Sequence, residues 1–171
     1  MATTSIGIRS LQFSDYKAYV FATLFVAGNI IVPQLCHLIP DGGRIFLPIY
    51  FFTLVAAYQF GWRVGLMTAL LSPLANHLLF DMPPTAMLPI ILVKSTFLAL
   101  TAAYAAHRAG KVSLTAIAIA VIVAQTAAMP VEWAISGSWN AALGDILVGW
   151  PGILIQIIGG WAIIKYVFTS K

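Results

Sequence analysis

The stretch Asn76–Lys94, NHLLFDMPPTAMLPIILVK, decides how the rest of the chain is read. Two polar side chains, Asn76 and His77, stand inside an apolar run. A short acidic turn follows at Asp81-Met82-Pro83-Pro84, and a second apolar run carries Lys94 in its interior. If these runs lie in lipid, unpaired Asn, His and Lys are costly there, so they belong to a bundle interior or a wet cavity. Asn76 and His77 come from one side of a tight turn and Lys94 from the other. The three therefore converge near one membrane face, which suggests a small-molecule pocket at the end of a helix bundle.

Composition agrees with a membrane setting. Of 171 residues, 61% are hydrophobic and 8% charged, and the mean hydropathy is +0.95, whereas soluble domains carry about 25% charged residues. The net charge of +4 is scattered at segment ends, with no basic stripe interleaved with aromatics, so nucleic acid is not an expected partner. The single cysteine, Cys36, excludes an internal disulfide framework and a multi-cysteine metal site, and reads as a small apolar filler. A removable signal peptide is not expected, because no small-residue cleavage site follows a short apolar core.

Outward from the central stretch, the chain divides into six apolar spans: 17–39, 45–60, 64–80, 86–106, 112–131 and 146–168. Each roughly meets the ~20 residues a helix needs to cross hydrocarbon. The span 45–60 is short, and Pro48 near its start suggests a bent or partly buried segment. The apolar runs are continuous rather than alternating, which excludes a β-barrel. The expected fold is an all-α integral membrane protein, one domain with six transmembrane helices in a compact bundle. Lysine and arginine set the orientation. With an even number of spans, both termini share a side with Arg9, Lys17, Arg63, Arg108, Lys111, Lys165 and Lys171, while the other side has Arg44 among Asp41, Asp81, Glu132 and Asp145. Both termini are then cytoplasmic, in the cell (inner) membrane.

The polar residues within the spans are lopsided too. Asn29, Gln34 and His37 fall in the middle and outer part of span one, Asn76 and His77 near the outer end of span three. Lys94 lies ~12 Å along span four at 1.5 Å per residue. Gln125 belongs to the outer half of span five and Gln156 to the middle of span six. A conduit carries polar groups all the way across; this pattern instead predicts a polar cup open to the outside above an apolar floor. The segment 132–145 reads as a loop holding Glu132, Trp133, Trp139 and Asn140, with Trp150 beyond it, suited to lidding an aromatic or heterocyclic ligand. Each residue also has a plainer reading. Asn and Gln hydrogen-bond between helices, tryptophans sit in interfacial belts, and Lys94 can form a structural ion pair with Glu132 or Asp81. The candidate substrate-binding set is Lys94, Asn76, His77, Asn29, Gln34, Glu132, Trp133, Trp139, Asn140 and Gln125.

Enzyme signatures are missing: there is no Gly-rich phosphate loop ending in Lys-Ser/Thr, no His-Glu-x-x-His and no Gly-x-Ser-x-Gly. Neither a cofactor nor a metal is expected, and a transporter without a nucleotide site must use a gradient or borrow energy from partners. Phe46-Leu47-Pro48, Phe60-Gly61-Trp62-Arg63-Val64-Gly65-Leu66, Ser72-Pro73 and Asp81-Met82-Pro83-Pro84 together resemble the middle section of the substrate-binding S component of an energy-coupling factor (ECF) vitamin transporter. Asp81 stands where that family has Gly before Met-Pro, and Lys94 lies near where relatives often place an acid. Ala18-x-x-x-Ala22 is similar to the small-residue motif with which S components dock on their coupling subunit. The resemblance implies a vitamin-like small molecule as ligand, with a transmembrane coupling subunit and two cytoplasmic ATPases as partners. A small secondary transporter or channel, or a membrane enzyme or assembly factor with metal-binding acidic loops, remains the alternative.

Overall fold

The structure is a computed structural model and describes residues 10–168; Arg9 and Lys171 lie outside the described residues. Eight helical segments make up the bundle: α1 (Tyr16–Cys36), α2 (Gly42–Phe46), α3 (Pro48–Phe60), α4 (Trp62–Phe80), α5 (Leu88–Ala109), α6 (Leu114–Ser136), α7 (Trp139–Leu147) and α8 (Trp150–Phe168). No strand occurs among the described residues. Four helices, α1, α5, α6 and α8, are long and apolar enough to cross a membrane. The 19 residues of α4 are diluted by Arg63, Asn76 and His77.

The short helix α3 forms the centre. Every residue from Thr53 to Phe60 is buried, and α1, α4 and α5 pack around it. Spanning roughly 20 Å at 1.5 Å per residue, it is too short for the ~30 Å hydrocarbon layer, but it meets protein rather than lipid. Small residues permit this crowding: a Cβ built on Gly65 of α4 comes within 2.5 Å of the Ala57 Cβ. On α8, a Cβ at Gly152 meets the Phe46 carbonyl at 2.4 Å, so α2 and α8 touch backbone to backbone. The exposed apolar side chains lie on the periphery, such as Leu24 and Ile31 on α1 and Ile119 and Ile122 on α6.

Charge sorts onto the two ends. The helix ends at Tyr16, Phe60–Trp62, Ala109–Leu114 and Phe168 gather Lys17, Arg63, Arg108, Lys111 and Lys165. The opposite end bears Asp41, Arg44 and Asp81. The basic end is closed by aromatic rings: Phe60 lies 4.0 Å from Phe21, 5.8 Å from Phe25 and 5.4 Å from Phe168, centroid to centroid. There the Tyr58 hydroxyl donates to the Lys111 carbonyl at 2.9 Å and accepts from the Ser113 N–H at 3.2 Å, tying α3 to the α5–α6 connection.

Several boundaries differ from the sequence-based spans. Residues 45–60 form two elements, because Leu47 takes a left-handed conformation (φ 47°) ahead of Pro48 and breaks the helix between α2 and α3. The span expected to end at Val131 continues as α6 to Ser136, past Pro130 and Glu132, and stops at Gly137, whose φ of 67° suits a helix C-cap. The expected loop 132–145 is thus mostly helical, as the end of α6 and the start of α7. The last long helix begins at Trp150 and contains two π-helical stretches, Ile155–Gly159 and Ile164–Phe168. Ala18 and Ala22, expected to offer a docking face, are 0% and 3% exposed and belong to the bundle core.

Candidate functional site

Proline chemistry explains the first polar cluster. In a regular helix the Asn29 carbonyl accepts from the N–H four residues on, but that residue is Pro33, which has none. Asn76 of α4 supplies the missing donor: its Nδ2 gives one hydrogen bond to the Asn29 carbonyl and one to the Ser72 carbonyl, each 2.9 Å. The Asn29 amide then donates to Ser72 Oγ (3.1 Å) and Thr53 Oγ1 (3.2 Å), while its Oδ1 accepts from the Phe52 N–H at 3.2 Å. Asn29, Thr53, Ser72 and Asn76 are all at most 1% exposed. These residues tie α1, α3 and α4 together, and their amide donors are engaged inside the protein.

His77, one residue further on, serves its own turn. Its Nδ1–H donates to the Pro83 carbonyl at 2.8 Å and lies 3.9 Å from Asp81. Gln34 is half-buried on α1. None of Asn29, Gln34, Asn76 or His77 lines the cavity reached by Lys94. The convergence expected from the Asn76–Lys94 stretch is therefore split into two clusters. Helix phase separates them, because α4 presents Asn76 to α1 while α5 presents Lys94 to α6.

The second cluster is ionic. Lys94 of α5 and Glu132 of α6 form an ion pair, their side chains 5% and 7% exposed. Glu132 is not a solvated loop residue: it lies one turn inside the end of α6, and Lys94 lies ~9 Å from the start of α5. An isolated charge of either sign is expensive at that depth, so the two hold each other in place. Beside the pair, Lys94, Gln125, Gln156 and Tyr50 face Leu98, Val121 and Ala124 around a cavity of about 10 Å³, room for a single water. Gln156 is 1% exposed, and its Nε2 has no hydrogen-bond partner among the described residues. It belongs to the π-helical stretch Ile155–Gly159, a widened turn of the kind found at functional sites.

The cluster brings together Lys94, Glu132 and Gln125 of the sequence-based candidates and adds Tyr50 and Gln156. The lone amide in an apolar run signals Gln156, whereas Tyr50 carries no signal beyond its place just after Pro48. The polar cup is not open: six of the seven lining residues are buried and Gln125 is half-buried. The proposed lid residues also sit elsewhere. Trp133 and Trp139 stack on each other at 5.1 Å and 17° and are 42% and 54% exposed; Asn140 and Trp150 are exposed as well. No group of three or more His, Cys, Asp or Glu able to hold a metal occurs among the described residues.

Comparison of the chain with protein-family models, with curated proteins and with solved structures returns no match.

Proposed function

We propose that this chain is a membrane-embedded, high-affinity binding subunit for uptake of a vitamin or related micronutrient, the S component of an ECF transporter. It works with a transmembrane coupling subunit and two cytoplasmic ATPases. The observation that carries this reading is the buried Lys94–Glu132 pair, whose lysine lines one small cavity with Gln125, Gln156 and Tyr50 toward the less basic end of the bundle. A cation, an anion, two amides and a phenol at one point are more polar chemistry than four helices need for packing. They present both donors and acceptors to a small polar solute.

The end with Lys17, Arg63, Arg108, Lys111 and Lys165 is cytoplasmic, which makes the termini cytoplasmic and turns the Lys94 end outward. The four membrane-length helices are joined by α3 and α4 as the second and third of six spans. Aromatic closure by Phe21, Phe25, Phe60 and Phe168 at the basic end supports capture over conduction, since a conduit needs polar lining across its length. At about 10 Å³ the cavity is that of a closed bundle. Admitting a solute requires α8 to move away from α3 and α6, against which the π-helical stretch at Gln156 packs.

The test is purification in mild detergent followed by mass spectrometry of co-purifying small molecules, with Gln156→Leu alongside the native chain. Recovery of one small polar molecule with the native chain, and its loss with a folded Gln156→Leu, is the expected result. Retention of that molecule by Gln156→Leu and by Lys94→Met alike refutes this site.

A further inference from the structure

A second cavity, of about 630 Å³, lies at the basic end, where the α3–α4 junction meets the C-terminal half of α5. Its volume is in the range of small-molecule sites, and its lining changes character along its length. Leu100, Ala103 and Tyr104 form the deep part; Trp62, His107 and Gly110 form the end near the helix termini. From Leu100 to Gly110 is roughly 15 Å of helix at 1.5 Å per residue. Leu100 and Tyr104 are 43% and 67% exposed on the apolar periphery, so the deep part opens sideways toward lipid.

Positive charge lies next to the polar end. The Arg63 guanidinium is held over the Trp62 ring at 4.6 Å and the Phe13 ring at 5.6 Å. Exposed Arg108 and Lys111 directly follow His107 and Gly110 in sequence. The only carboxylate side chain at this end among the described residues is Asp15. An occupant must therefore be apolar along one part, reach the bilayer sideways, and end in negative charge at headgroup depth. We infer that this groove is a binding site for an anionic phospholipid, its acyl chain along Leu100, Ala103 and Tyr104 and its phosphate among His107, Arg63, Arg108 and Lys111. Basic pockets between membrane helices with an aromatic at the interface are suited to such headgroups.

The experiment is native mass spectrometry of the full-length protein, titrated in detergent with phosphatidylglycerol and, separately, phosphatidylcholine of the same acyl composition. The expected result is preferential retention of phosphatidylglycerol. Arg108→Gln with Lys111→Gln should weaken it by about 30-fold, from ~1 kcal/mol per basic group near the headgroup, and leave phosphatidylcholine unchanged. Leu100→Trp fills the deep part and should weaken retention while keeping both charges. A melting temperature within a few degrees of the native value shows each variant is folded. Equal retention of the two lipids, or a phosphatidylglycerol preference that survives both variants, overturns the assignment.

Discussion

Replacing Lys94 with Met removes one charge from a pair in which both partners are almost fully buried. Length and apolar contact are kept, so the main loss is the ammonium. Glu132 is then left buried without the ammonium that faces it. Breaking a buried pair from one side costs about 3–5 kcal/mol. Between membrane helices the unfolded reference state also finds polar partners, which moves the expectation toward the lower end of that range. At about 2–4 °C per kcal/mol for a chain of this size, Lys94→Met should melt roughly 6–12 °C below the native protein in detergent. Lys94→Met combined with Glu132→Leu replaces the pair with apolar surface and should recover most of that loss, since such exchanges are often neutral or stabilising. The assay is thermal unfolding of the four proteins of the cycle, followed by mass spectrometry of bound small molecules on the folded double variant. A Lys94→Met protein that melts within about 2 °C of native would falsify the claim that the pair is desolvated and mutually dependent. A double variant that is stable and still retains the co-purifying solute would remove Lys94 and Glu132 from the binding site and leave them a purely structural role.

Asn76→Leu strands the Asn29 carbonyl and should destabilise by about 1–3 kcal/mol, read as a drop in melting temperature. Pro33→Ala restores the missing N–H, so Asn76→Leu in that background should cost measurably less; equal costs in both backgrounds would break the proline argument. With Cys36→Ala as the parent, a cysteine at Gly110 should label only from the cytoplasmic side and one at Gly137 only from outside. The reverse pattern inverts the orientation and makes the Lys94 end inward. Ala18→Trp forces a large ring into a position that is 0% exposed and should unfold the bundle, losing solute binding and uptake together. Retained solute binding with uptake alone lost would return Ala18 to an outward docking face.

What could be read from the chain follows from what helix periodicity carries. Continuous apolar runs, Pro and Gly at their ends, and the sorting of Lys and Arg mark where helices lie, and Asn76 and Lys94 stand out because lipid has no use for them. Partner choice is another matter. Asn76 pairs with a carbonyl whose deficit is created by Pro33, 43 residues earlier, and no local pattern connects the two. Glu132 reads as a loop residue because an acid usually ends an apolar run; the lysine on the neighbouring helix helps α6 carry it inside. Trp133 and Trp139 illustrate the converse. Both aromatic residues lie close in sequence to Glu132, yet helical rotation places them on the outer surface. The π-helical stretch at Gln156 depends on packing against α3 and α6 and has no sequence signature of its own.

The bond from Asn76 to the Asn29 carbonyl has a mechanical consequence. Regular helix pairs slide along one another by repacking apolar side chains, because their backbone bonds are internal and travel with them. Here one backbone acceptor of α1 is completed by a side chain of α4, and the same amide holds the Ser72 carbonyl. A slip of one residue, ~1.5 Å, would leave the Asn29 carbonyl with neither a helical nor a cross-helix donor. The α1–α3–α4 group is therefore pinned axially at mid-depth. The Lys94–Glu132 pair links α5 to α6 but places no such pin on α8. A slide of α1 along α4 is therefore costly in a way that ordinary apolar repacking is not, and the Asn76→Leu variant should relax it.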